Sequence, residues 1–199
     1  MVDKAVPSPE AFRGIKKIMI FIDGGHLTGN LHNIYHDKKY ELNIARLGSM
    51  LKKFAAYPMQ PDLIRLYYYD AVPDDESELE SERRLLLESV SASYYCQVRR
   101  GRLKPIRNPK EPGKMKQKGV DVLIATDMLS KAYENHYDVA VLVSGDDFYD
   151  LVEAVKESGK RVIGAFFDRH ISQELRDSFD KVQVLDEKFL VGNKIITFV

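Results

Sequence analysis

Acidic residues follow two buried strands of this sequence, at the point where each strand ends. Asp23 comes directly after the apolar run 18–22, and the adjacent Asp146 and Asp147 follow the apolar run 139–143. Short apolar runs of this kind are typical of parallel strands that are covered on both faces. Ligands of parallel sheets bind beyond the carboxyl ends of the strands, so we expect these carboxylates to lie in one cleft. The alternative for Asp23 is a turn-forming role, since aspartate before glycine is common in turns.

A further acid, Asp121, stands in the first turn of a predicted helix that begins after Lys118-Gly119. The helix dipole alone favours a carboxylate there, and the same side chain can project toward the strand ends. Asp127 lies six residues later, which is roughly 600° of helical rotation, so it cannot share the face of Asp121. It stands among apolar residues, where a buried carboxylate requires a partner.

Carboxylates that gather in one cleft repel one another and raise one another's pKa. A hard divalent cation removes that repulsion, and Mg²⁺ or Mn²⁺ prefers oxygen ligands and retains water molecules. Such ions can activate a water and stabilise the negative charge of a phosphoryl transition state. The acids therefore predict metal-dependent cleavage of a phosphodiester, with Mg²⁺ or Mn²⁺ as the cofactor.

The elements that position these acids alternate between strand and helix along the chain. Strands are predicted around Ile18, Leu63, Cys96, Val139 and Val162, and helices around Ile44, Leu79, Val122 and Phe148. This alternation predicts an α/β fold with a doubly wound, mainly parallel sheet. Asp70 is expected to close the second strand, and Ser77 with Glu80 to form a capping box for the helix that follows. We expect residues 1–15 to be a flexible arm, 16–187 one domain, and 188–199 a C-terminal strand or hairpin.

A basic segment separates the edge strand predicted at 94–103 from the helix that contains Asp121. From Arg99 to Lys118 there are nine Lys or Arg residues against one Glu, although the whole chain has a formal net charge of zero. Three prolines punctuate the segment, so a long basic loop is predicted at about 104–118. One interpretation is a solvated loop, and the other is a positively charged surface that binds a polyanion such as RNA. The candidate RNA-binding residues are Arg99, Arg100, Arg102, Lys104, Lys116 and Lys118.

The composition excludes several other classes of protein. The single cysteine, Cys96, excludes an intrachain disulfide and fits a reducing compartment. No apolar run approaches the length of a membrane span, and the first residues lack the apolar region of a signal peptide. The cytoplasm is therefore the expected location, and no membrane partner is expected.

Three segments stand in this order along the chain: IFIDGGHL, then VRRGRLK with QKGVDVLIATDML, and then VLVSGDDFYDLVEAVKESGKRVIGAFF. Together and in this order they resemble the NYN domain, particularly its LabA-like branch, within the PIN-like nuclease superfamily. The resemblance covers roughly residues 16–168. It implies a PIN-like, Rossmann-like fold with three α/β/α layers, and a Mg²⁺- or Mn²⁺-dependent ribonuclease that acts on single-stranded or structured RNA.

The resemblance also implies roles for individual residues. Its metal-binding acids correspond to Asp23, Asp121 and Asp146, with Asp127 as a further acid, and Asp147 is an additional catalytic candidate. Ser144 and His26 would orient these acids without binding the metal themselves. Two features depart from the family pattern, because His26 stands where the family usually has Asn, and the acids of SGDDF are adjacent rather than separated by one residue.

Other interpretations predict different chemistry. An aspartyl-nucleophile phosphatase would have a second acid two residues after Asp23, where this chain has Gly25. A dinucleotide-binding protein would have G-x-G-x-x-G after a strand, which the sequence lacks. His26, His32 and His36 could suggest zinc, although surface histidines are the simpler interpretation. A non-enzymatic module that binds RNA or protein, and a regulatory homo-oligomer, remain the principal alternatives.

Overall fold

A computed structural model of the chain describes residues 14–73, 79–105, 115–169 and 171–199, with only the backbone described at 104–105 and 115–117. The strands are β1 Ile15–Asp23, β2 Tyr40–Leu42, β3 Gln60–Val72, β4 Cys96–Pro105, β5 Met115–Lys118, β6 Val139–Val143, β7 Arg161–Phe166, β8 Lys181–Val184 and β9 Ile196–Phe198. The helices are α1 Gly24–Ile34, α2 Ile44–Ala56, α3 Ser81–Ala92, α4 Val120–Tyr133, α5 Tyr149–Glu157, α6 Gln173–Ser178 and α7 Glu187–Leu190.

Seven strands form one sheet in the order β5-β4-β3-β1-β6-β7-β8, and all neighbouring pairs are parallel except β4 with β5. The chain winds outward from β1 through β3 to β4, and then from β6 through β7 to β8 on the other side. The strand order reverses between β1 and β6, which is the position where ligands of doubly wound sheets bind. The predicted doubly wound, mainly parallel sheet is confirmed.

Two apolar cores cover the two faces of this sheet, because side chains alternate along each strand. Ile18, Ile20 and Ile22 of β1 point into the core formed with α1, α2 and α3. Met19 and Phe21 point into the opposite core, which is formed with α4, α5 and α6. The result is a three-layer α/β/α fold, as the resemblance implied. Within the described ranges, no helix combines the length and the apolar character needed to cross a membrane.

The predicted edge strand and basic loop differ from the structure. β4 is an inner strand, because β5 pairs with it in antiparallel register from Arg102–Lys118 to Pro105–Met115. Both described ends of the predicted loop at 104–118 are therefore paired strands, and they contain three of its six lysines and arginines, namely Lys104, Lys116 and Lys118. Its prolines and charges disfavour regular strands in isolation, but pairing with β4 gives β5 a partner for its backbone groups. The connecting residues 106–114 lie outside the described part of the chain.

The other boundaries agree with the expectations in part. Asn43 caps α2 with its side chain, as its position before the apolar stripe favours. Helix α3 begins at Ser81, after Glu80, and Glu80 makes no side-chain cap bond, so the capping box is wrong as to where the helix begins. Its other member, Ser77, lies outside the described residues.

At the two ends of the chain, the structure describes little of the expected arm and places a strand in the segment expected to be a strand or hairpin. Most of the predicted N-terminal arm, residues 1–13, lies outside the described residues, and β1 already begins at Ile15. The C-terminal segment forms β9, which pairs in antiparallel register with β2. It does not fold back on itself as a hairpin, because Tyr40–Leu42 supplies the partner strand.

Candidate metal centre

Asp23 ends β1 and at the same time caps α1, so the strand runs into the helix without a loop. Its Oδ1 accepts a hydrogen bond of 3.0 Å from the backbone N–H of His26. This direct connection requires a glycine at position 24, because a Cβ there would lie 2.6 Å from Cζ of the buried Tyr68. The carboxylate is 1% exposed and is fixed by its role as the helix cap.

Asp121 lies in the first turn of α4, and two glycines place that turn against the sheet. Gly119 precedes the helix with φ of +83°, a conformation that L residues with a side chain rarely adopt. Gly101 of β4 lies under the helix start, because a Cβ there would be 2.7 Å from Cγ2 of Val120. The exposed Asp121 carboxylate consequently reaches the carboxyl ends of the strands.

Asp146 follows β6 in the turn before α5. The hydroxyl of Ser144, which is fully buried, accepts a hydrogen bond of 3.2 Å from the backbone N–H of Asp146. Ser144 therefore fixes the backbone of the turn that carries Asp146.

One carboxylate oxygen from each of Asp23, Asp121 and Asp146 lies within 4.8 Å of the others. The pKa of Asp23 is raised from 3.8 to about 7, mainly by burial; the hydrogen bond from the backbone of His26 lowers it, and the charges of Asp146 and Asp121 raise it. The three ligands are oxygen atoms only, which is the donor set of Mg²⁺ or Mn²⁺. A bound cation would stabilise the charged form of Asp23, which burial and the neighbouring carboxylates disfavour, so the residues present fit a hard divalent ion.

His26 lies beside this group rather than on the surface. Its Nδ1 is 3.9 Å from Oδ1 of Asp146, and only 6% of its side chain is exposed. The ring packs 6.1 Å from the ring of Phe167, centroid to centroid, and its Nε2 lies 3.4 Å from the amide nitrogen of Asn30. His32 and His36 are exposed and lie outside the group, so the three histidines do not converge.

Asp127 is buried on α4, but on the face that packs against β3 and β4. Its carboxylate accepts hydrogen bonds from Arg99 at 2.9 and 3.1 Å, from Lys131 at 2.8 Å and from the hydroxyl of Tyr69 at 2.9 Å. Although burial raises its pKa, these hydrogen bonds and charges lower it overall. The rotation of six helical residues predicted the separate face, and the apolar surroundings of Asp127 predicted the need for a partner. The structure does not bring Asp127 to the other acids.

Two other acids also lie apart from the group. Asp147 is exposed in the turn next to Asp146, outside the set of three converging carboxylates. Asp70 does not end its strand but lies buried inside β3, where Arg83 binds it through two nitrogens and also donates to the carbonyl of Ala71. Asp70 therefore holds the start of α3 against the sheet.

The basic residues predicted to bind RNA lie on the hairpin of β4 and β5. Arg102 is opposite Lys118 and Lys104 is opposite Lys116 in the strand register, and Arg100 is exposed on β4, where its backbone is opposite Asp70 of β3. The guanidinium of Arg99 is paired with the buried Asp127.

Comparison with known proteins identifies the family. The model of the NYN domain matches residues 17–186. This chain belongs to the NYN domain family. No curated protein sequence matches it.

A solved structure shows the same fold as this NYN domain. It is the crystal structure of a protein of unknown function from Vibrio parahaemolyticus, with a TM-score of 0.63 and 23% sequence identity. The similarity covers 87% of this chain and 95% of the other. At this level of identity the comparison concerns the fold alone.

Sequence reasoning missed the partners of several site residues. Tyr69 binds Asp127 and Phe167 packs against His26, and in both pairs the partners are far apart in the sequence. Lys131 also binds Asp127, and its spacing of four residues on one helix was a signal that could have identified it. Asn30 and Asn33 were also missed, although they lie on α1 one and two turns after His26 and flank the same cleft. The spacing of 26, 29, 30 and 33 on one helix was the available signal.

Proposed function

We propose that this NYN domain is a Mg²⁺- or Mn²⁺-dependent ribonuclease whose metal ligands are Asp23, Asp121 and Asp146. The observation that carries the proposal is the convergence of these three carboxylates at the switch point of the sheet. Structural carboxylates are normally paired with cations, as Asp127 and Asp70 are in this chain. Membership of the NYN family, within the PIN-like nucleases, supports the same reaction class. The order of the three motifs supports placing the chain in the LabA-like branch.

The three aspartates have different tasks in this proposal. Asp23 is buried and immobile, so it fixes the inner side of the site, while Asp121 and Asp146 are exposed on the side from which a phosphate arrives. A bound divalent ion would activate a water and stabilise the charge that develops on the phosphate. His26, beside Asp146, restricts the position of that carboxylate.

The hairpin of β4 and β5 supports RNA as the substrate. Cationic residues that face each other directly across a strand pair destabilise the pair. The register places Arg102 opposite Lys118, so this pair carries an electrostatic cost that a phosphate backbone would relieve. Arg99 contributes less in this proposal, since Asp127 already binds its charge.

The test is cleavage of labelled RNA in Mn²⁺, Mg²⁺ or EDTA by the wild type, Asp146→Asn and Asp147→Asn. We expect metal-dependent cleavage that Asp146→Asn reduces by at least about a hundredfold, since the variant removes a ligand that holds the ion. Asp147→Asn is the matched variant, and its loss should be below about tenfold because its carboxylate lies outside the group. Equal losses in both variants, or cleavage in EDTA, would contradict the site.

A second function is favoured by one observation. His26 occupies the position where the family usually has Asn, and it packs against Asp146. If the wild type binds RNA in a salt-dependent manner but does not cleave it in any metal, the protein is an RNA-binding module. The replacement by His26 would then be the first change to reverse, with His26→Asn.

A further inference from the structure

The buried carboxylate of Asp127 is bound by side chains from two neighbouring strands that stand directly opposite each other. Tyr69 of β3 and Arg99 of β4 are partners in the strand register. The hydroxyl of Tyr69 donates to Asp127 at 2.9 Å, and the guanidinium of Arg99 donates to both carboxylate oxygens, at 2.9 and 3.1 Å. Helix α4 is therefore attached, through Asp127, to two strands at one level of the sheet.

The same level of the sheet contains a proposed metal ligand. Asp23 is the partner of Tyr69 in the register of β1 and β3, so Asp23, Tyr69 and Arg99 form one row across three adjacent strands. Asp121 lies on α4 six residues before Asp127, which is about 9 Å along the helix axis. The attachment of α4 to this row consequently determines how far Asp121 lies from Asp23.

Apolar contacts alone do not determine the rotation of α4. The helix buries apolar side chains against the sheet, and other apolar side chains of the helix are half-buried beside them, namely Ile124 and Met128 in the first set and Leu123, Ala125 and Leu129 in the second. Because apolar burial has no preferred direction, several rotations of such a helix bury similar areas. Hydrogen bonds to a charged group are directional, and the best-known role of buried ionic groups is to fix register rather than to add stability.

We propose that Asp127 is a positioning residue of the metal centre. Its bonds to Tyr69 and Arg99 fix the rotation and the height of α4 on the sheet, and they thereby hold Asp121 at the distance from Asp23 that one bound ion requires. Lys131 also donates to Asp127, at 2.8 Å, but it belongs to the same helix and cannot fix α4 to the sheet. The inference rests on the proposed function of the three aspartates.

Asp70 offers a matched control on the opposite face of β3. It is buried like Asp127, and Arg83 of α3 binds it through two nitrogens. Loss of either carboxylate charge leaves a partly buried arginine without its counter-charge, so both losses should lower the stability of the fold. Asp127 is attached to α4 and Asp70 is not, so the positioning role predicts an effect on the metal centre for Asp127 alone.

The experiment compares three variants with the wild type. Asp127→Asn removes the charge. The triple variant Asp127→Leu, Arg99→Met, Lys131→Met replaces the ionic network by apolar side chains of similar size, and Asp70→Asn is the control. Calorimetry measures the affinity for Mn²⁺, and urea unfolding measures the stability. Hydrogen exchange of the peptides that cover α4, measured in EDTA, reports on the helix without a metal.

We expect Asp127→Asn to weaken Mn²⁺ binding by at least about tenfold and to accelerate hydrogen exchange in α4. The triple variant should retain its stability toward urea and still show the same loss of Mn²⁺ affinity, because packing without directed bonds does not fix the helix. Asp70→Asn should lose stability while its Mn²⁺ affinity stays within about twofold of the wild type. Wild-type affinity in Asp127→Asn or in the triple variant, or an equal loss in Asp70→Asn, overturns the positioning role.

The two proposals fail in distinguishable ways. If the wild type binds Mn²⁺ and the Asp127 variants bind it equally well, the metal centre stands and the positioning role is wrong. If the wild type binds no Mn²⁺, the proposed metal centre is wrong, and hydrogen exchange decides whether Asp127 fixes α4. Faster exchange in both Asp127 variants but not in Asp70→Asn supports that attachment, and unchanged exchange overturns it.

Discussion

Replacing Asp23 by Asn tests whether the negative charge of Asp23 destabilises the folded protein when no cation is bound. Asn caps a helix as well as Asp does, so the substituted side chain should keep the hydrogen bond from the backbone of His26. The change removes only the ability to carry a negative charge beside Asp121 and Asp146. The variant therefore isolates the charge from the structural role of the residue.

The magnitude follows from the pKa of Asp23, which burial and the neighbouring carboxylates raise from 3.8 to about 7. Because the folded protein binds this proton more tightly than the unfolded chain, the stabilisation is fully present below about pH 4, declines as the pH rises, and is lost above about pH 7. At 1.36 kcal/mol per pKa unit, the loss across this window is about 4 kcal/mol. Asp23→Asn has no proton to lose, so this part of the pH dependence disappears.

The assay is urea unfolding of the wild type and Asp23→Asn in EDTA at several values between pH 4 and pH 8. We expect the difference in unfolding free energy between the two proteins to shift by about 4 kcal/mol in favour of the variant toward high pH. Saturating Mn²⁺ should stabilise the wild type at pH 8, by about 2.7 kcal/mol at a hundred times the Kd, and the variant by less. Parallel pH profiles in EDTA, or equal stabilisation by Mn²⁺, would refute the reasoning.

Other substitutions test the support of the site. Asp127→Asn leaves the cation of Arg99 partly buried without its counter-charge, so we expect the unfolding free energy measured in urea to fall by about 3 kcal/mol. A decrease below about 1 kcal/mol would mean that the network contributes little. Gly101→Ala places a methyl group against Val120, so it should lower the unfolding free energy by about 1–3 kcal/mol and weaken the binding of Mn²⁺, measured by calorimetry. An unchanged affinity for Mn²⁺ would show that Gly101 does not fix the position of the helix start. Arg102→Gln should reduce the salt slope of RNA binding by about one, and an unchanged slope would remove the hairpin from the interface.

The fold was predictable because its central unit is local. The apolar runs of β1 and β6, each followed by small or acidic residues, determine where the two strands lie. They also determine the switch point between these strands and the edge of the sheet where ligands bind. The hairpin of β4 and β5 was not predictable, since its prolines and charges are typical of a loop. Its strands form only because β4 is already anchored in the sheet against β3, which is a long-range effect.

The site was predictable to the extent that strand ends and helix rotation determine it. Asp23 and Asp146 follow their strands, so their meeting was expected, and helical rotation predicted the separation of Asp127 from Asp121. The position of His26 was not predictable, because the burial of its ring depends on Phe167, more than a hundred residues away.

The central position of β1 also affects how the protein folds during its synthesis. β1 is synthesised before β6, which pairs with it through Ile18 and Val139, and these residues are far apart in the chain. At the usual pace of translation, this neighbour follows after roughly 6 to 24 seconds. During that interval one backbone edge of an apolar strand remains open to other chains. Nascent fragments that end before β6 should therefore aggregate or engage chaperones, whereas fragments that include β6 should not.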